Sequence, residues 1–201
     1  MKPMILFQEP GVTIAFDPVA HTMAPYWSQE RTNSTNHGFA DLRDRPELAD
    51  SIPEVQANPA LRNLIVALNR KGSRFMSIGC DRGPPFKKES DDFPVSIASY
   101  TTVAFRDLQA NRSKNDLMAL AYSIWEKFKP RSSIRPVLLE LSIEPLKYLW
   151  DLNDAFALDL RMLALGRDEA DAIANFEWLA PEIATVIDSL GQGERNCCGE
   201  Q

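Results

Sequence analysis

Hydrophobic and polar residues alternate along several short segments of the chain, and this pattern predicts β-strands. Apolar side chains recur with a spacing of two within residues 12–16, 74–80, 95–105 and 137–143, interrupted only by Ser99 and Thr101 in the third of these segments. This is the period of a strand buried on one face. A further apolar run at residues 4–7 is separated from the first of these segments by turn residues. The chain is therefore predicted to begin with a β-hairpin.

Two other segments have apolar residues spaced three and four apart, which predicts amphipathic helices. The first follows Asn58 and Pro59, residue types favoured at the start of a helix, and is expected to stop at Gly72. The second follows Ser113, which opens a capping-box pattern, and is expected to end at Pro130.

The C-terminal part of the chain is predicted to be helical. Phe156, Leu160 and Leu163 would share one face of a helix. Asp168 is placed to cap a second helix, and Pro181 is placed to open a last one.

In chain order these elements are strand, helix, strand, strand, helix and strand, followed by helices. The first six match the split βαβ pattern of ferredoxin-like sandwiches. We therefore expect an α+β fold: a four-stranded antiparallel sheet with two helices on one face, an N-terminal hairpin and C-terminal helices. Residues 1–190 are expected to form one domain with a long irregular segment at residues 17–57, and residues 191–201 to form a disordered tail.

The formal net charge of −6 narrows the classes of partner. Nucleic-acid binding needs a positive surface that displaces counterions, so an acidic chain argues against a nucleic-acid partner.

No apolar stretch reaches the ~20 residues of a membrane helix. The three cysteines, two of them adjacent at positions 197 and 198, do not form a disulfide framework and fit a reducing cytoplasm. The sequence has no nucleotide-binding or metal-binding motif, so no cofactor is expected.

The alternation within residues 74–80 predicts the environment of Cys80. Met76, Ile78 and Cys80 share the apolar side of the strand, which the helices should cover, whereas Phe75 is on the other side. A buried thiol packs as a small hydrophobic group and stays protonated. Cys80 is therefore predicted to be a structural residue.

A catalytic role for Cys80 is the alternative hypothesis. A cysteine nucleophile needs a base or a cationic setting, and His21 or His37, the two histidines of the chain, could supply the base. The protein would then be a thiol-dependent hydrolase or transferase that acts on small acyl or amide groups.

The candidate binding residues are large aromatic and arginine side chains, which protein interfaces favour. Two lie in the irregular segment, two in the loop that follows the strand at residues 74–80, and one on the mixed face of the strand at residues 95–105. They are Tyr26, Trp27, Arg82, Phe86 and Tyr100.

The mixed face of the sheet gives a further hypothesis. Phe75 and Tyr100 on this face would suit a stacking platform for single-stranded nucleic acid, but Glu140 and the net charge argue against it. We expect the face to be covered by the C-terminal helices or, in a homodimer, by a second copy. The sequence favours a non-catalytic cytoplasmic protein that binds a protein partner through its loops and sheet face, in an accessory, regulatory or inhibitor-type role.

Overall fold

The computed structural model describes residues 3–19, 22–26, 38–87, 92–132 and 135–192. The strands are β1 (Met4–Glu9), β2 (Val12–Phe16), β3 (Phe75–Arg82), β4 (Phe86–Lys87), β5 (Val95–Phe105), β6 (Val137–Pro145) and β7 (Phe156–Gly166). The α-helices are α1 (Pro53–Gln56), α2 (Pro59–Asn69), α3 (Lys114–Ser132) and α4 (Glu169–Gly191), and there are 3-10 helices at Pro46–Ser51 and Leu108–Arg112. The fold class is mixed α+β, as predicted.

The seven strands form one sheet in the order β1-β2-β6-β7-β5-β3, and the short strand β4 also pairs with β5. Neighbouring strands are antiparallel except β2 and β6, which are parallel. The predicted ferredoxin-like core of four strands is not confirmed, because the sheet is larger and β7 separates β5 from β6. The predicted N-terminal hairpin is present as β1 and β2.

The central strand β7 occupies residues that were predicted to be helical. Phe156 and Leu163 fit a helical spacing, but Leu158, Leu160 and Met162 also fit the two-residue period of a strand. The structure follows the second pattern, with these three side chains buried in the main core. β7 is hydrogen-bonded to β5 on one side and to β6 on the other. This pairing favours the extended conformation over the helix that the local spacing predicts.

Helices α2, α3 and α4 begin where the sequence predicts, but the predicted helix end at Pro130 and the predicted helix start at Pro181 are wrong. The Asp168 carboxylate accepts the backbone N–H of Asp171 at 2.8 Å and caps α4. This helix is a single element that passes through Pro181, and α3 likewise extends past Pro130. An internal proline costs about 3 kcal/mol, and in α4 the residues buried on both sides of Pro181 offset that cost.

Helices α2, α3 and α4 cover one face of the sheet, and the main hydrophobic core lies between the two layers. The core-facing residues of β6 alternate as predicted, and they are Val137, Leu139, Leu141 and Ile143. The opposite face carries a smaller apolar cluster, in which Leu146, Leu149 and Leu152 of the loop between β6 and β7 pack against β3. We call this face the helix-free face because the cluster on it contains no residue of a described α-helix.

A β-bulge at Ile78 reverses the alternation of side chains in β3. The pairing of β3 with β5 shifts at this residue, so one extra residue enters the strand. Phe75 packs in the main core, whereas Met76 and Ile78 pack in the cluster on the helix-free face. The predicted sides of these three residues are therefore wrong. Cys80, which follows the bulge, packs against the main core as predicted.

Candidate functional site

A cleft with a volume of about 1220 Å³ lies on the helix-free face of the sheet. Four adjacent strands supply its floor, with Thr13 from β2, Glu140 from β6, Arg161 from β7 and Tyr100 from β5. Successive residues of a strand point to opposite faces. The alternation that directs the apolar residues of these strands toward the helices therefore directs these polar residues into the cleft.

Arg161 is bound to two carboxylates on the cleft floor. Its Nε donates to Asp159 Oδ2 at 2.8 Å, and its Nη1 donates to Glu140 Oε1 at 2.8 Å. Asp17 Oδ2 lies 3.8 Å from Nη2. Burial opposes the charge of Arg161, but the interactions with Asp159 and Glu140 outweigh it and raise the pKa of the guanidinium. Arg161 is thus a fixed cation whose charge is already matched within the cleft.

Hydroxyl groups hold two of the cleft carboxylates in place. The Thr102 hydroxyl donates to Asp159 Oδ1 at 3.0 Å, and the Thr22 hydroxyl donates to Glu144 Oε1 at 2.6 Å. Both carboxylate groups are largely buried. Their orientation is therefore set before any ligand arrives, which lowers the cost of ordering them on binding.

The lining of the cleft is acidic. Among the described residues that line it, the five acidic ones are Glu9, Asp81, Glu140, Glu144 and Asp159, and the basic one is Arg161. A cleft lined mainly by one sign of charge, with apolar walls of low dielectric constant, concentrates ions of the opposite sign. This cleft should therefore attract cationic groups.

Tyr26 and Tyr100, both predicted as binding residues, line the cleft. Burial, together with the charge of Asp81, raises the pKa of Tyr100, so its phenol keeps its proton at ordinary pH. The ring of Tyr26 packs edge to face on Phe39 with the ring centroids 5.7 Å apart. The structure thus brings together two predicted residues that are 74 positions apart in the chain.

Cys80 lies on the other side of the sheet from the cleft. It is a free cysteine, largely covered, that packs against the main core. Burial, with smaller contributions from the charges of Glu54 and Asp81, raises the pKa of the thiol to about 12. A thiol with this pKa is protonated at neutral pH, and the thiolate is the form that acts as a nucleophile.

Arg82 and Phe86, two further predicted residues, do not line the cleft. Arg82 faces the helix layer, where its guanidinium lies 5.3 Å from the centroid of a phenylalanine ring of α4. Phe86 is exposed on β4, outside the cleft lining. Trp27, His21 and His37 lie outside the described residues, so the histidine partner of the alternative catalytic pair stays a prediction.

Asp159 and Arg161, which carry much of the charge of the site, are not among the residues predicted from the sequence. A helical interpretation of residues 156–163 directs these two side chains away from each other, because residues two apart lie on different sides of a helix. On a strand, residues two apart share a face. The signal that could have found them is the alternation of polar and apolar residues from Leu158 to Met162.

Among the described residues, no three histidine, cysteine, aspartate or glutamate side chains are arranged to hold a metal ion. No helix in the described ranges has both the length and the apolar character needed to cross a bilayer.

Comparison with known proteins gives no identification. No family model, no curated protein and no solved structure matches the chain. The residues and geometry of the cleft are therefore the basis for a proposed function.

Proposed function

We propose that this is a non-catalytic binding protein that accepts a basic segment of a partner protein in the cleft on its helix-free face. The observation that carries the proposal is the excess of acidic over basic side chains in the cleft lining. The role would be accessory, regulatory or inhibitory, and the setting would be the cytoplasm, as the cysteine content favours.

The acidic excess of the cleft remains when Glu9 and Glu144, which make further contacts, are set aside. Asp81, Glu140 and Asp159 alone outnumber Arg161. The whole chain is also acidic, with a formal net charge of −6. Complementary charge speeds the encounter of partners and disfavours partners of the same sign.

Two tyrosines in the lining suit a peptide partner. Tyr26 and Tyr100 belong to the same lining as the acidic groups. Lysine and arginine side chains bind aromatic faces through cation–π contacts worth about 0.5–1 kcal/mol at exposed sites. The two tyrosine rings can also pack on the aliphatic part of a lysine or arginine side chain. Aromatic and acidic groups in one cleft thus match both ends of a basic side chain.

The alternative function, a thiol-dependent enzyme, has less support. The raised pKa of Cys80 keeps its thiol protonated, and Cys80 packs on the side of the sheet that faces the helices. The open cleft, where a substrate could be accommodated, lies on the opposite side. We therefore prefer the binding function.

A peptide-binding measurement tests the proposal. The probe is a short fluorescent peptide with arginine at alternate positions, and the reference is the same peptide with citrulline, the neutral isostere of arginine. We expect the anisotropy of the arginine peptide to rise with protein concentration, and the apparent Kd to increase with salt, since exposed charges are screened. The citrulline peptide should bind more weakly.

A matched pair of variants locates the binding. Glu140→Gln removes a cleft charge, whereas Glu177→Gln makes the same change on an exposed position of α4, in the helix layer. We expect Glu140→Gln to weaken binding of the arginine peptide several-fold and Glu177→Gln to leave it unchanged. Equal binding of the two peptides, or equal effects of the two variants, would contradict the proposal.

A further inference from the structure

Strand β1 forms one edge of the sheet and exposes apolar side chains there. The exposed fractions are 58% for Met4, 59% for Ile5 and 39% for Leu6. Among the described strands, only β2 pairs with β1. No described strand pairs with the outer side of Met4–Leu6, so the backbone groups there can pair with another strand, and natural proteins normally protect such an edge.

The opposite edge of the same sheet is protected. Strand β3 is flanked or occupied by the charged residues Arg74, Asp81 and Arg82 and packs against α1, whereas a bulge is present in both edge strands. Charges, bulges and covering helices are the usual ways of preventing edge-to-edge pairing. In β1 the charged residue is Glu9, which lies at the hairpin turn, away from the exposed apolar residues.

An aromatic cluster extends the apolar surface of β1 onto helix α3. Phe7 contacts Trp125 and Tyr122 edge to face, with ring centroids 4.7 and 5.8 Å apart. All three rings are partly exposed. The bulge between Ile5 and Phe7 shortens the regular hydrogen-bonding edge of β1, so a partner strand would depend on these side chains as well as on the backbone.

We propose that two copies of this chain associate through antiparallel pairing of their β1 strands, which forms one continuous sheet across a twofold axis. In a twofold interface the same patch meets itself, and this patch suits self-association because its apolar residues would meet apolar residues. An antiparallel pairing centred on Met4, Ile5 or Leu6 never places Glu9 opposite Glu9. The pairing therefore creates no direct contact between these two carboxylates.

Light scattering coupled to size-exclusion chromatography tests this interface. The wild-type chain should have twice the mass of one chain at micromolar concentrations. Leu6→Lys should have the mass of a single chain, because a lysine on an edge strand opposes pairing. Leu48→Lys is the matched control: Leu48 has a similar exposed fraction of 36% but lies on a 3-10 helix outside β1. It should remain a dimer.

A second substitution in β1 and a control substitution on the cleft face complete the test. Ile5→Lys should also give single chains, and a thermal unfolding curve checks that each variant is folded. Leu138→Lys places the same charge on the cleft face and should remain a dimer. A wild-type mass of one chain, a dimer that survives both β1 substitutions, or a dimer that Leu138→Lys alone disrupts would overturn the proposal. None of these outcomes depends on peptide binding in the cleft.

Discussion

At the scale of single residues, Ile78 decides which face of the sheet receives the thiol of Cys80. The bulge at Ile78 reverses the phase of β3, so Phe75 and Cys80 both pack against the main core. Without the extra residue, strict alternation would place these two side chains on opposite faces. With Phe75 in the core, Cys80 would then face the cleft. One inserted residue thus separates the nucleophile candidate from the open site.

The buried setting of Cys80 predicts slow thiol chemistry. Because burial raises the pKa of Cys80 to about 12, its alkylation by iodoacetamide at neutral pH should be much slower than that of N-acetylcysteine. The rate should still increase with pH above pH 9, where an ordinary thiol levels off. Mass spectrometry of the peptide that contains Cys80 distinguishes it from Cys197 and Cys198. Rapid labelling with a plateau near neutral pH would instead support the thiol-dependent enzyme.

At the scale of elements, the connection between β7 and α4 depends on two residues. A Cβ atom at Gly166 would overlap the backbone of Ala172, so the end of the strand can approach the start of the helix only with glycine. Asp168 then caps the helix by accepting the N–H of Asp171. The cap and the glycine are local signals, and both are readable in the sequence.

The cap of α4 gives a stability prediction. Asp168→Ala should lower the free energy of unfolding by about 1 kcal/mol, because it leaves a backbone donor of the first turn without its partner. Asp168→Asn should retain most of the stability, since asparagine is also a good cap. Urea unfolding followed by circular dichroism measures both. An equal loss in the two variants would show that the negative charge, and not the cap hydrogen bond, stabilises the helix.

At the scale of the whole molecule, the two proposed surfaces lie close together but use different parts of β1. Gln8 and Glu9 line the cleft, whereas Met4, Ile5 and Leu6 form the exposed edge. The cleft depends on charges presented by the sheet face, and the edge depends on backbone pairing and apolar side chains. The two associations should therefore be separable.

Paired measurements on the same preparations check this separation. Leu6→Lys should lower the mass to that of one chain without changing the Kd for the arginine peptide. Glu140→Gln should weaken peptide binding without changing the mass. If either substitution alters both properties, the cleft and the edge are coupled, and residues 8 and 9 would be the link between them.

The sequence by itself determined the local elements of this protein. The alternation in β5 and β6, the caps at Ser113 and Asp168 and the N-terminal hairpin depend on interactions between residues near one another in the chain, so they can be derived from spacing and residue type. The placing of Tyr100 on the mixed face follows in the same way from strand alternation.

Only the tertiary structure decided the strand order, the bulge and the composition of the cleft. Residues 156–163 satisfy both a helical and an extended period, and pairing with β5 and β6 selects the strand. That choice brings Asp159 and Arg161 beside Glu140, a residue about twenty positions earlier. Long-range hydrogen bonding and burial outweigh local preference at such places, and no spacing rule within one segment contains that information.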